Sequence, residues 1–422
     1  MTKPAPAPFG YIPVGSLLME RRQEDPAAEY TPALKKIGGQ RWGNKNISEL
    51  RPLFYFVATG GSERKILKLR EERERFSPGE PVVLLAHPGN NSLPAALETL
   101  ARLQQDGAHG RILYLRGPDD GEGLRQVATA AQDVNAWLRM QRQRIGLVGE
   151  PSDWLVASAP SPDTVTTVWG PKIVSIGLDT LKASIDSVPE EALQAPLDAL
   201  LSGAASVHEP TRDDLAETVR VFLAVIDLVE EHRLDAVSVR CFDLIAERRT
   251  TGCLALARLN DDGVTAGCEG DLPSVLTMLW IQTLLGQISW MANPAGIDAR
   301  RNILRLAHCT VSLQLAEKFS LRSHFESGLG VSIQGLLKNG PVTLARIGGR
   351  NPDRIWLAEG SIIETEPDDR LCRTQADVRL TENGLAAALL NRPLGNHLVL
   401  TAGHHAGRLR RWWEMIIKKE ER

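Results

Sequence analysis

Short apolar runs alternate with amphipathic helical patterns along the first part of the chain. The runs LFYFVA (53–58), VVLLAHP (82–88) and RILYL (111–115) are each followed by a polar turn and then by a helical pattern. Repeated strand, loop and helix is typical of βαβ units with a parallel sheet. Successive residues of a strand point to opposite faces of the sheet, and here nearly all of them are apolar. We therefore expect both faces of this sheet to be buried under helices.

A second α/β unit follows with the same alternation. The runs RIGLVG (144–149) and VWGPKIVSIGL (168–178) predict two strands, and DDLAETVRVFLAVIDLVEEHR (213–233) predicts a long helix. The segment DAVSVRCF (235–242) is rich in β-branched residues, which favours a buried strand. We therefore expect a second parallel sheet.

The pattern changes at about residue 251 to shorter pieces separated by glycines. Several short strands at close spacing indicate a mixed or antiparallel unit, such as a barrel. The sequence thus predicts four regions. They are an irregular, Pro-containing arm (1–50), an α/β domain (51–143), a second α/β domain (144–250) and a C-terminal mixed or β-barrel domain (251–422).

Composition narrows the class of protein. The 422 residues carry a net charge of −3, so the chain lacks the broad basic field of a nucleic-acid binder. No run approaches the roughly 18 apolar residues of a spanning helix, and the start MTKPAPAPFG lacks the apolar core of a signal peptide. We expect a cytoplasmic protein with no membrane partner. The amphipathic C-terminal stretch AGRLRRWWEMIIKKEER fits a packing helix better than a membrane-surface helix.

The five cysteines all lie beyond residue 240 and are never spaced as CxxC. They are Cys241, Cys253, Cys268, Cys309 and Cys372. An odd number without paired spacing argues against a disulfide framework or a zinc knuckle. We expect most of them to be small buried apolar residues.

Two acids one residue apart mark the clearest candidate site. Glu269 and Asp271 lie between glycines in TAGCEGDLPSVLTM (265–278), at the start of an apolar helix. A metal ion, a basic partner or open water could offset their repulsion. Five of the nine histidines fall in the same third of the chain, and carboxylates with one or two imidazoles suit Mn²⁺ or Mg²⁺.

Arginines are the other charged candidates in this third. Arg346, Arg350, Arg354 and Arg373 are placed to clamp an anionic substrate or to pair with nearby acids. Arg373 precedes an alternating strand and is the strongest candidate of the four for substrate binding.

An ordered set of motifs resembles the L-fucose isomerase and L-arabinose isomerase superfamily. The motifs are GCLALARLNDDGVTAGCEGDLPSVLTM (252–278), LAHCT (306–310), GPVTLARIGG (340–349), LCRT (371–374) and NHLVLTAGH (396–404), with IGLVGEPSDWLVAS (145–158) fitting the second domain. The resemblance covers the chain from about residue 50. It implies two Rossmann-like α/β domains followed by a C-terminal β-barrel-containing domain.

The resemblance also implies a function and a site. Members of this group are homo-oligomers, trimers or hexamers, that interconvert aldoses and ketoses with Mn²⁺ through a cis-enediol. Asp271 and His397 resemble the metal-binding aspartate and histidine, and Glu269 is a supporting group or auxiliary ligand. His404 matches a position that contacts sugar hydroxyls. His308 matches a position that either contacts sugar hydroxyls or helps to bind the metal.

The chain departs from this pattern at one position. The family has a second acidic ligand, which also transfers the proton, shortly before the LN pair, and here Leu256 stands near that place. Asp243 is the best substitute and Glu247 the next. We therefore expect Asp243 or Glu247, with Asp271, to carry catalysis.

Three functions stay open at this point. The first is a metal-dependent aldose–ketose isomerase acting on a sugar or a modified sugar. The second is a family member that has lost catalysis and serves as a sugar-binding or assembly protein, which the apolar LALARLN segment favours. The third is enediol or carbanion chemistry on an anionic sugar, which the arginines favour.

Overall fold

The computed structural model describes residues 7–417, which form two compact units. Unit 1 contains residues 7–140 and 411–417, and unit 2 contains residues 141–410. No helix among these residues is long and apolar enough to span a lipid bilayer.

Unit 1 is a parallel sheet of five strands flanked by helices. The strand order is β2-β1-β3-β4-β5, and all four strand pairs are parallel. The strands are Phe9–Val14 (β1), Gly39–Arg41 (β2), Leu53–Val57 (β3), Val82–Ala86 (β4) and Gly110–Tyr114 (β5). The helices are Leu17–Arg22 (α1), Thr31–Lys36 (α2), Glu63–Glu74 (α3), Ser92–Gln105 (α4) and Gly121–Met140 (α5). β3 and β4 are buried along their whole length, as their apolar sequences predict.

The prediction of an irregular arm over residues 1–50 is wrong for its described part. Residues 1–6 lie outside the described residues, but β1 begins at Phe9 and pairs with β3 near the middle of the sheet. The proline in FGYIPV hid this strand from the pattern. Five of its six residues are buried, so burial in the sheet outweighs the local signal.

Unit 2 begins with a second parallel sheet. Its order is β10-β9-β6-β7, with all pairs parallel. The strands of this region are Arg144–Val148 (β6), Lys172–Ile176 (β7), Ser206–Val207 (β8), Ala236–Val239 (β9) and Thr265–Cys268 (β10). The helices are Pro162–Trp169 (α6), Leu178–Ser187 (α7), Gln194–Gly203 (α8), Arg212–His232 (α9), Phe242–Arg248 (α10), Cys253–Asp261 (α11) and Leu272–Leu285 (α12).

A closed six-stranded barrel completes unit 2, with the order β11-β12-β17-β16-β15-β18. The strands of this region are Ser289–Asp298 (β11), Ile303–His308 (β12), Ala316–Arg322 (β13), Ser332–Leu337 (β14), Gly340–Gly348 (β15), Arg354–Ile363 (β16), Thr374–Leu380 (β17) and Leu398–Ala402 (β18). The remaining helices are Leu385–Ala388 (α13) and Ala406–Ile416 (α14). β13 and β14 form an antiparallel hairpin beside β8.

The predicted fold class is confirmed: parallel α/β sheets precede a C-terminal β-barrel. The expected boundary at residue 250 differs from the structure, because β10 extends the second sheet to residue 268. The segment containing LALARLN forms helix α11 instead of a short strand. In unit 1, Trp412, Ile416 and Ile417 of the C-terminal stretch are buried and Trp413 is half-buried, as the amphipathic pattern predicts. Residues 418–422 of that stretch lie outside the described residues.

Candidate functional site

The two acids of the 265–278 stretch lie on a tight turn between β10 and α12. Glu269 and Gly270 both adopt left-handed backbone angles, with φ of 67° and 69°. A Cβ atom at Gly270 would lie 2.7 Å from Pro151 Cα, so only glycine fits this close approach. The backbone N–H of Ser152 donates to the Glu269 carbonyl oxygen at 2.8 Å. The turn is thereby fixed against the loop that follows β6.

Asp271 caps the apolar helix α12. Its Oδ1 accepts a hydrogen bond from the Ser274 backbone N–H at 2.9 Å, and its Oδ2 accepts one from the Ser274 hydroxyl at 2.9 Å. An aspartate at this position satisfies a free N–H of the first helical turn, and its charge opposes the positive end of the helix dipole. The proline at position 273 also suits the start of a helix. The local sequence therefore explains why a carboxylate lies here.

A buried arginine neutralises Asp271. Nη1 of Arg346, on barrel strand β15, lies 3.0 Å from Asp271 Oδ2, and the two side chains are 1% and 0% exposed. Arg346 also donates from Nη2 to the Ser158 hydroxyl at 2.7 Å. Burial by itself would raise the pKa of Asp271, but Arg346 and His397 outweigh it and hold that pKa well below its usual range. Asp271 is therefore a fixed anion inside the protein.

His397 joins the two acids. Its Nδ1 donates to Asp271 Oδ2 at 2.8 Å, which turns Nε2 toward Glu269 Oε1 at 3.5 Å. Burial would lower the pKa of His397, but the hydrogen bond to Asp271 and the nearby Glu269 raise it to about 9. Nε2 is buried and makes no hydrogen bond within the described residues.

Glu269 points the other way from Asp271. Its Oε2 accepts a hydrogen bond from the Trp154 indole N–H at 2.6 Å, while Oε1 faces His397 and, at 4.0 Å, His308 Nε2. Burial raises the pKa of Glu269, but His397, His308 and Trp154 together lower it below its usual value. One carboxylate oxygen is thus held by Trp154, and the other is directed at two imidazoles.

His308 closes the group at the end of β12. Its Nδ1 is hydrogen bonded to the Thr310 hydroxyl at 3.0 Å, which leaves Nε2 facing Glu269. Burial and the neighbouring His397 lower the pKa of His308 to about 4, so this imidazole is neutral near pH 7. A neutral ring nitrogen is the form that binds a metal ion.

Glu269, His308 and His397 fit a divalent cation. One donor atom from each lies within 4.8 Å of the other two, and all three side chains are buried. The unpartnered Nε2 of His397 points into this group, and the outer hydrogen bonds from Asp271, Thr310 and Trp154 fix each donor, as in known metal sites. A carboxylate with two imidazoles suits several divalent ions. The possible metal site is therefore supported, and Mn²⁺ as its occupant stays a prediction.

Glu269 and His308 of this trio line a cavity of about 310 Å³, and His397 lies behind them with its Nε2 3.5 Å from Glu269 Oε1. This volume lies at the lower end of the range of about 300–1,000 Å³ that is typical of small-molecule sites. One wall is aromatic: the Trp154 and Phe242 rings lie 5.0 Å apart, and the Phe242 and His324 rings 5.5 Å apart. Asn293 adds a buried carbonyl oxygen that has no hydrogen-bond partner within the described residues. The cavity thus combines flat rings with free polar atoms.

All five cysteines line this same cavity. Cys241, Cys253, Cys268 and Cys309 are buried and Cys372 is half-buried, and all five are free thiols. The expectation of small buried residues is confirmed for four of them. Their clustering at one cavity was not visible from their spacing.

Four residues expected at the site lie away from the cavity. Asp243 pairs with Arg240 at 3.0 Å, and Glu247 pairs with Lys182 at 2.6 Å. His404 is bonded to the Gly360 carbonyl oxygen at 3.1 Å, and Arg373 donates to the Ser323 carbonyl oxygen at 2.9 Å. None of the four lines the cavity described above. The structure therefore does not bring Asp243 or Glu247 to the vacant acid position near Leu256, which is itself buried in α11.

Sequence reasoning missed two contributors to the site. Trp154 holds Glu269, and Glu326 lines the cavity. The EPSDW turn, which contains Trp154, directly follows β6. Functional loops usually lie at the carboxyl ends of parallel strands, so the position of Trp154 could have marked it as a site residue. Arg346 was among the candidate arginines, and of the two roles left open it has the pairing role.

No protein-family model matches the chain. Over 286 residues, 65% of its length, the chain is 24% identical to the sulfoquinovose isomerase of Alkalicoccus urumqiensis, covering 63% of that protein. Over 305 residues, 68% of its length, it is 23% identical to the sulfoquinovose isomerase of Clostridium sp. (strain MSTE9), covering 66% of that protein. The chain thus spans slightly less than two thirds of these relatives. Membership of the fucose and arabinose isomerase superfamily stays a prediction.

Proposed function

We propose that the protein is a sugar aldose–ketose isomerase that depends on a divalent cation and works through a cis-enediol. The observation that carries this proposal is the buried Glu269, His308 and His397 trio beside a cavity of about 310 Å³. The two relatives named sulfoquinovose isomerase support the reaction class.

The cation would be held by Glu269, His308 and His397, and when bound it would act as a Lewis acid on the sugar carbonyl. Asp271 orients His397, and Arg346 keeps Asp271 ionised. Trp154 fixes the Glu269 carboxylate and, with Phe242, offers ring faces to the C–H groups of a sugar. Asn293 and Asn396 supply amide groups for its hydroxyls.

Asp271 therefore has a different role in this proposal from the one its motif predicts. Its oxygens already accept hydrogen bonds from Ser274, Arg346 and His397. A carboxylate with both oxygens occupied in this way suits a residue that positions a ligand histidine. We assign Asp271 to positioning and Glu269 to cation binding.

The substrate class is a hydroxylated sugar small enough for the cavity. Sulfoquinovose, named for the relatives, carries a sulfonate group, yet none of the residues that line the cavity is lysine or arginine. A sulfonated sugar and its neutral counterpart are thus the most informative pair of test substrates.

The experiment is proton NMR in D₂O with the purified protein and Mn²⁺. Sulfoquinovose, D-glucose, L-fucose and L-arabinose are incubated separately, and loss of the C2 proton signal is followed together with ketose formation. We expect exchange with at least one aldose and none after EDTA treatment. Absence of exchange on every sugar, with bound Mn²⁺ verified by elemental analysis, would overturn the proposal.

A further inference from the structure

Isomerisation needs a base, and the cavity limits the choice. A base removes the proton from C2 of the open-chain aldose and returns it to C1. Asp243 and Glu247 pair with Arg240 and Lys182 away from the cavity. The carboxylates that line the cavity are Glu269 and Glu326.

Glu269 is committed to other partners. Trp154 holds its Oε2 at 2.6 Å, and Oε1 faces His397 and His308 in the proposed cation site. Proton transfer through Glu269 would therefore compete with its hydrogen bond to Trp154 and with cation binding. His324 is held on the cavity wall, because its Nδ1 lies 3.3 Å from the Ser327 hydroxyl and its ring packs edge-on against Phe242.

Glu326 differs from these groups in having a free carboxylate. It is solvent-exposed on the cavity wall and makes no hydrogen bond or ion pair within the described residues. Glu326 and Glu269 line the same cavity, together with Cys372. An unpaired carboxylate facing a sugar site can accept a proton without breaking another interaction.

The loop that carries Glu326 is fixed at both ends. This loop, residues 323–331, joins β13 to β14. Arg373 binds the Ser323 carbonyl oxygen at 2.9 Å, and at the far end the Thr251 hydroxyl donates to the Val331 carbonyl oxygen at 2.7 Å. Within it, the Gly328 N–H donates to the His324 carbonyl oxygen at 2.8 Å. Such anchoring holds a tip residue in place relative to the cavity.

We propose that Glu326 is the proton-transfer base of the isomerisation. The C2–H bond breaks, its proton goes to a Glu326 oxygen, the bonding pair forms the C1–C2 double bond, and the carbonyl π pair moves to O1. Glu326 then returns the proton to C1 while the O2 hydroxyl proton is transferred to O1 and the C2 carbonyl forms. No proton or electron is gained or lost overall. This inference rests on the proposed isomerase function.

The test compares Glu326→Gln with Glu317→Gln. Glu317 lies on β13, is also exposed and does not line the cavity. With the best aldose from the substrate panel, we expect Glu326→Gln to lower both kcat and C2 deuterium exchange by about 100-fold or more. Sugar affinity by calorimetry and Mn²⁺ affinity should stay within about 2-fold of the unmodified protein, as expected for a group that acts on the proton alone. Glu317→Gln should match the unmodified protein throughout.

A conservative variant separates proton transfer from a structural role. Glu326→Asp keeps an acid on a shorter side chain, so its kcat should lie between those of the unmodified protein and Glu326→Gln, with a larger isotope effect on 2-deuterated sugar. Exchange in Glu326→Gln above one tenth of the unmodified rate would overturn the assignment. If the unmodified protein itself exchanges no sugar, the isomerase proposal fails instead, so the two failures are distinguishable.

Discussion

Arg346 and Asp271 form an ion pair inside unit 2, with Nη1 3.0 Å from Oδ2 and both side chains almost completely buried. This pair answers the question of what offsets the two neighbouring acids. A guanidinium from the barrel neutralises Asp271, and Glu269 turns away toward Trp154 and two histidines. The two carboxylates are therefore in different environments although one residue separates them.

Replacement of Asp271 by asparagine should strongly destabilise the protein. The change leaves Arg346 as a buried charge without its counterion, and breaking a buried pair on one side costs about 3–5 kcal/mol. The free energy of unfolding in urea measures this loss. The double variant Asp271→Asn with Arg346→Met removes both charges and should recover part of it. A loss below about 1 kcal/mol in the single variant would contradict the pair's role.

Cation binding should depend on the trio and not on the outlying acids. We expect Glu269→Gln and His397→Gln each to weaken Mn²⁺ binding by more than about 100-fold, since a ligand matters more than the surrounding residues that support it. Asp243→Asn and Glu247→Gln are the matched controls, because these two acids form ion pairs with Arg240 and Lys182 and do not line the cavity. Calorimetric titration of the EDTA-treated proteins with MnCl₂ measures this, and equal affinity in all four variants would exclude the site.

The stability of the metal-free protein should be highest near pH 6.5. The folded-state pKa of His397 is raised to about 9 from 6.5, so its contribution is complete below pH 6.5 and is lost as the pH rises through 9. The pKa of His308 is lowered to about 4, so its folded state loses stability as the pH falls from 6.5 toward 4. The urea midpoint of unfolding, measured from pH 4 to 10, tests both losses of stability. The variant His397→Gln should reduce the loss of stability above pH 6.5, and an unchanged loss there would contradict the assignment.

Replacement of Trp154 by phenylalanine should loosen Glu269 while keeping an aromatic ring. The variant loses the indole N–H that holds Oε2 at 2.6 Å but retains packing on Phe242. Loss of such an outer hydrogen bond typically costs 10–100-fold in metal affinity, so we expect Mn²⁺ binding to weaken by about that factor. The control is Trp413→Phe in the C-terminal helix, because the indole N–H of Trp413 makes no hydrogen bond within the described residues. An unaltered Mn²⁺ affinity in Trp154→Phe would show that Glu269 needs no such support.

Arg373 should act on the loop and not on an anionic ligand. Its guanidinium holds the Ser323 carbonyl oxygen, so Arg373→Gln should free the loop of residues 323–331. We expect faster amide hydrogen exchange in that loop and a lower kcat for neutral and anionic sugars alike. A loss confined to anionic sugars would instead favour the substrate clamp that its sequence position predicts.

The sequence by itself determined most of the local structure. The apolar runs at residues 53–58, 82–88 and 144–149 became strands, and the amphipathic run at 213–233 became a helix. These elements can be predicted from the sequence because hydrophobic periodicity depends only on neighbouring residues in the chain. The motif around Glu269 and Asp271 likewise located the site, because helix capping and left-handed turns have short-range signatures.

Only the tertiary structure decided what each site residue does. Asp271 meets Arg346 across 75 positions and His397 across 126, so barrel closure determines which acid is neutralised and which faces the histidines. The strand β1 was also set by distant contacts, because it pairs with β3 across the sheet. The physical reason is that a side chain's charge and partners depend on burial against distant segments, which no local pattern encodes.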